Sequence, residues 1–273
     1  MARSNVTVRR VRESVDDGYR SSLVPGLKSS EEARRLAEEL AFAADRLSLL
    51  ERDPPGLYGE VAGDGDAEER TWLAFLIAYL CPLDGEEDPF CAIRVVQTTW
   101  ESGQLPSLDG VRTGPRTSHD SERGSATLDA YITWAQRSGS QAAAFGGDPH
   151  WSPERRFART FERISLPGLR REVRFDLLVT LGYLGVYDLR PAALELGGDD
   201  QVTVGAKRAL GIGDPLLLER RAALLAEGCG VPLEALDLGL YNWERGERAM
   251  MGLAAGAEAD PATVAKAASA LGL

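Results

Sequence analysis

The stretch 151-WSPERRFARTFERISLPGLRREVRFDLLVTLGYL-184 decides the fold. Ser152 followed by Pro153 marks a helix start: a hydroxyl cap, then proline at the first helical position, where an N–H is not missed. That helix runs to Ile164, 166-LPG-168 breaks it, and a second helix begins near Leu169 and continues to about Leu184. A tight turn between two helices leaves backbone N–H groups free at the start of the second, a ready place for phosphate. A plain helix–helix turn reads the same way. Arginines flank the turn on both sides: Arg155, Arg156, Arg159, Arg163, Arg170, Arg171 and Arg174. Guanidinium forks match phosphate oxygens, although a solvated face paired with local glutamates has the same composition.

Outward from this stretch the chain reads as helix after helix. Ser29 with Glu32 makes a capping box, and Leu36, Leu40, Ala43, Leu47 and Leu50 follow at helical spacing until 53-DPPG-56 stops the run. Asp66 with Glu69 repeats the signature ahead of a helix carrying Trp72, Phe75, Leu76, Tyr79 and Leu80. Leu128 to Arg137 reads as a helix, a further one follows Asp199 and Asp200, and Asp214-Pro215, Val231-Pro232 and Asp260-Pro261 open three more. Between Pro106 and Thr127 lies a polar loop, of a length that marks either function or disorder. Residues 1–28 lack helical periodicity, and Val6 to Val11 reads as a short strand or a basic arm; residues 29–273 read as the helical domain.

Composition narrows the function classes. The chain has 273 residues and a net charge of −11, which argues against indiscriminate binding to polyanions. Against that background the seven arginines and three glutamates between Glu154 and Arg174 form a local positive excess. Met1 to Arg12 has no apolar core of the kind a secretory signal carries, and 71-TWLAFLIAYLCPL-83 is shorter than a membrane span. Three cysteines at unrelated spacing suit a reduced cytoplasm, where they pack rather than pair. No nucleotide loop is present: 110-GVRTGPRTS-118 lacks the lysine and the spacing. His119 and His150 have no companions at metal-ligand spacing, so neither a metal nor another cofactor is expected.

The remaining candidate is 197-GGDDQVTVGAKRALGIG-213, some thirty residues beyond the turn. Two aspartates before a helix serve as a cap or as the charge of an active site. Together, 166-LPG-168, its arginine flanks and 199-DDQVTVGAKRALGI-212 resemble the helix–hairpin–helix DNA glycosylases. The wider set 114-GPR-116, Trp134, 151-WSPERRFARTFERISLPG-168, 205-GAKRALGI-212 and 241-YNWE-244 is similar to the α-glutamyl/putrescinyl thymine pyrophosphorylase-like branch, associated with phage base hypermodification. Arg170 stands where that superfamily usually has a second hairpin glycine, the hairpin has no Schiff-base lysine, and the four-cysteine cluster of some relatives is absent.

The resemblance implies a mainly α fold, a helical bundle with a cleft between two helical lobes. It implies DNA as partner, double-stranded or locally unpaired, with no membrane and no obligatory protein partner. It further implies a monofunctional glycosylase that flips a modified base out of the stack and hydrolyses its N-glycosidic bond. Asp199 or Asp200 would carry the chemistry; Arg155, Arg156, Gly168, Arg170, Arg171, Arg174, Lys207, Arg112 and Arg116 would hold DNA. Trp72, Phe75 and Tyr79 line a base pocket or fill the core. A transferase acting on pyrophosphate-activated thymine, or a non-catalytic DNA-binding module, accounts for the same motifs.

Overall fold

The computed structural model describes residues 15–273, so the strand or arm expected at Val6 to Val11 lies outside the described residues. Those described are mainly helical, with no strand among them. The helices are α1 (Ser30–Arg52), α2 (Leu57–Ala62), α3 (Ala67–Leu80), α4 (Cys91–Val96), α5 (Ala126–Arg137), α6 (Gln141–Gly146), α7 (Pro153–Arg163), α8 (Arg171–Tyr183), α9 (Gln201–Leu210), α10 (Pro215–Cys229), α11 (Ala235–Arg245) and α12 (Pro261–Leu271). None is long and apolar enough to cross a membrane.

Local chemistry sets most boundaries. Ser29, Asp66, Ser152, Asp200, Asp214 and Asp260 each accept a first-turn N–H, and α7, α10 and α12 begin with proline. The expected capping box of α3 is only half formed. Asp66 caps, while the Glu69 carboxylate accepts the N–H groups of Trp100 and Glu101 at 2.8 and 2.9 Å. The turn after Val231-Pro232 delays α11 to Ala235. The short α2, α4 and α6, of six residues each, give no periodic signal in the sequence.

Two packed groups of helices meet along one seam. α1 lies against α11 and α12, and α11 and α10 against α9; α3 packs on α2, α6 and α8, and α7 on α6 and α8. α1 also touches α8, joining the groups. Burial of apolar side chains drives both, with Leu36, Leu40 and Leu47 of α1 and Leu236 and Leu240 of α11 all buried. The described part of the N-terminal segment is packed, not a free arm: Val24 and Leu27 are buried, and the Tyr19 hydroxyl donates to the Leu271 carbonyl at 2.5 Å.

Two expectations change here. Trp72, Phe75 and Tyr79 are not a pocket lining. All three are buried, and Phe75 stacks on Tyr131 with centroids 3.7 Å apart, on Trp72 at 5.6 Å and on Tyr79 at 5.7 Å. Their ring faces are taken by one another, because this face of α3 is turned toward α5. The centre of the polar loop, residues 114–118, is likewise neither loose nor peripheral. Gly114 N–H donates to the Leu80 and Cys81 carbonyls, and the Ser118 N–H and Thr117 hydroxyl both donate to the Tyr79 carbonyl. The loop thereby satisfies the carbonyls left open at the end of α3.

Candidate functional site

The turn 166-LPG-168 joins α7 to α8, and its geometry depends on Gly168. That residue has φ of +81°, and a Cβ there would lie 2.4 Å from the Thr127 hydroxyl oxygen. The same hydroxyl donates to the Pro167 carbonyl at 3.1 Å, so α5 grips the turn. Gly168→Ala is expected to destabilise the protein by roughly 1–3 kcal/mol through left-handed strain and this contact, read as a fall in the thermal unfolding midpoint. An unchanged midpoint would show that the turn has room to shift.

Arg170 immediately precedes α8; its N–H donates to the Ser118 hydroxyl at 2.9 Å and its side chain is exposed. No side chain caps this helix, in contrast to α7 and α9. Its start shares one concavity with the aspartate pair, lined by Arg170, Arg171, Glu172, Gly198, Asp199, Asp200 and Gln201. The start of α8 and the aspartate pair, some thirty residues apart in sequence, therefore open onto the same space. A second concavity, lined by Ser118, Asp120, Arg123, Gly168, Leu169 and Arg170, adjoins it through Arg170.

The aspartates divide the work. Asp200 caps α9, accepting the Thr203 N–H at 3.1 Å and the Thr203 hydroxyl at 2.6 Å. Asp199 is exposed to the concavity, with no hydrogen-bond or ion-pair partner among the described residues. Lys207, two turns along α9, donates to the Gly198 carbonyl at 3.2 Å and steadies the loop that carries Asp199.

The arginine cluster separates into inward and outward members. Arg156 is buried and spends its donors on the Gly146, Asp188 and Trp151 carbonyls, at 2.7, 2.7 and 3.1 Å, so it braces the scaffold instead of meeting DNA. Arg171 lines the concavity, but its guanidinium bonds the Asp237 carboxylate and the Leu194 carbonyl. Arg174 lies over the Phe161 ring at 4.3 Å and donates to the Phe161 carbonyl at 3.0 Å. Burial and the Arg171 charge pull its pKa below the ordinary arginine value, against Glu195, Asp200 and Glu172. Arg155 and Arg170 remain exposed.

Arg116 also turns inward. It is buried and pairs with Asp237, which thus binds two guanidiniums, Arg116 and Arg171, from two different elements. Burial alone would raise the Asp237 carboxyl, but Arg171 and Arg116 outweigh it and hold it below the usual range. Nearby, Arg46 pairs with Asp176 at 3.2 Å and donates to the Tyr58 hydroxyl at 3.2 Å. The two helix groups thus meet over a buried ionic cluster. Arg112, by contrast, is exposed, pairs with Glu86 and lines a groove with Leu83, Cys91 and Val95, away from the concavity. It belongs to neither the turn nor the aspartate pair.

One residue escaped the sequence reading. Glu195 has φ of +58°, a left-handed conformation that is costly for any residue but glycine. The Glu219 carboxylate accepts the N–H groups of Leu194 and Leu196 on either side, and Arg171 holds the Leu194 carbonyl. Burial and Glu219 raise the Glu195 carboxyl above the ordinary range, while Arg171 and Arg174 pull it down. Nothing in 194-LELGGDD-200 marks Glu195 as special, since the clamp arrives from α10 and α8. Family models, curated proteins and solved structures offer no match to this chain.

Proposed function

We propose that the protein is a DNA glycosylase that excises a modified base by hydrolysis of its N-glycosidic bond. The observation that carries this reading is the shared concavity of Asp199 and the uncapped start of α8. The α8 N–H groups and Arg170 would hold a phosphate of the DNA backbone, as helix starts and guanidiniums do for anions. The mainly helical architecture is what a helix–hairpin–helix glycosylase-like bundle would require.

The chemistry follows from charge. Breaking the glycosidic bond builds positive charge on the sugar, and a carboxylate close to it lowers that barrier. Asp199 is free to do this, and to orient the attacking water, because Asp200 already satisfies the helix. The target base would first leave the stack, at a cost of a few kcal/mol. With Trp72, Phe75 and Tyr79 enclosed in the core, they are no longer candidates for receiving it.

The test incubates the protein with plain, damaged and phage-derived hypermodified DNA and measures abasic sites and free base by mass spectrometry. Release of a base from modified DNA alone is the expected result. Pyrophosphate release without abasic sites would replace the reading with base-modifying transfer. Salt-sensitive binding without either product would leave a DNA-binding module.

A further inference from the structure

The arginines of α7 that do not turn inward are Arg155, Arg159 and Arg163, spaced four apart and all exposed. Arg159 pairs with Glu162 at 2.9 Å. Arg155 and Arg163 have no carboxylate within ion-pair distance among the described residues, in a chain that carries 42 acidic side chains. Both guanidiniums instead lie on Trp151, each 5.4 Å from its ring centroid. Two flexible cations eight residues apart are thus held no more than twice that distance from each other, by one aromatic ring.

Trp151 is itself fixed. Its ring covers Gly147, where a Cβ would meet it at 2.7 Å, its backbone N–H donates to the Asp148 carbonyl at 3.0 Å, and its backbone carbonyl accepts from Arg156 at 3.1 Å. Of the nearby acids, Glu162 pairs with Arg159, while Asp148 is hydrogen-bonded to His150 and feels the Arg155 charge from beyond ion-pair distance. A guanidinium resting on an aromatic face keeps its in-plane N–H donors for another acceptor. Arg155 and Arg163 therefore present two forks, neither of them tied up in an ion pair, on one face of a helix that ends at the 166-LPG-168 turn.

We propose that Trp151, Arg155 and Arg163 form a phosphate clamp for the DNA strand that leaves the concavity, a contact separate from the start of α8. The inference rests on DNA being the substrate, as argued above. A strand carries a phosphate every ~3.4 Å along a duplex, so two forks spread along α7 meet different phosphates of one backbone. The contact is sequence-independent. Two such cations on one helix would give an acidic protein a local foothold for a polyanion.

The clamp is tested by fluorescence anisotropy with a labelled DNA duplex across a salt series. Compared are the wild type, Arg155→Gln/Arg163→Gln and Trp151→Leu. Each phosphate contact contributes about 0.9 to the slope of log affinity against log salt. The double variant is expected to lose close to two such contacts and to bind about tenfold more weakly at low salt, with its thermal midpoint unchanged. Trp151→Leu, which keeps both charges but frees them, is expected to bind between the two. An unaltered slope in the double variant overturns the clamp, as does a wild type that binds no DNA. Abasic product with an unaltered slope overturns the clamp alone; slope loss without any abasic product overturns the glycosylase reading and leaves the clamp.

Discussion

Replacing Asp237 by asparagine is expected to lower the unfolding midpoint by on the order of 10 °C. The carboxylate is buried between Arg116, from the polar loop, and Arg171, from the first turn of α8. Its removal leaves two buried cations facing a neutral amide, and breaking a buried pair from one side costs about 3–5 kcal/mol. The cluster has little slack, since the Nε atoms of Arg46, Arg116 and Arg171 are already without hydrogen-bond partners. The pH dependence has a definite sign. The folded carboxyl is held below its ordinary value, so its contribution is complete above the unfolded Asp value of about 3.9 and is lost as pH falls through the lower folded value. Denaturant titrations of both proteins should show the stability gap at neutral pH closing in that acid range. A gap that stays constant into acid would mean that the charge of Asp237 is not what stabilises the seam.

The two aspartates of the concavity are expected to separate cleanly. Asp199→Asn should slow base release by about 10²–10³, the usual loss when a group stabilising transition-state charge is removed, with no change in unfolding midpoint. Asp200→Asn should keep both stability and rate, because asparagine caps a helix as well as aspartate does. Asp200→Ala should cost about 1 kcal/mol of stability through the lost cap. Single-turnover kinetics with the responsive substrate, alongside thermal melts, measure all three. If Asp200→Asn abolishes release while Asp199→Asn does not, the capping aspartate is the catalyst and Asp199 a bystander.

Much of the helical order is legible in the sequence because it is local. Ser152-Pro153, Asp214-Pro215 and Asp260-Pro261 announce α7, α10 and α12 through groups that act within one turn. Which way a side chain faces is not local. Arg155 and Arg156 are neighbours of one residue type, yet one is exposed and the other is buried against three carbonyls, because α6 and the Asp188 loop lie on one side of α7 only. Trp72, Phe75 and Tyr79 read equally as pocket or core until the partner ring, Tyr131, is placed across them. Arg116 sits in a segment so polar that a surface position is the natural expectation. Its burial depends on Asp237, some 120 residues away. The aspartate pair was legible as a pair, and the division between cap and free carboxylate emerges only from Thr203.

The polar loop has one more consequence. Within five residues it ties down the end of α3 through Gly114 and Ser118, delivers Arg116 to Asp237, and receives the Arg170 N–H on Ser118. A peptide-bond cut between Gly114 and Ser118 would therefore release the helix end, the buried charge and the turn together. Protease sensitivity in that short segment thus becomes a gauge of whether the 166-LPG-168 turn is seated, available without a substrate in hand.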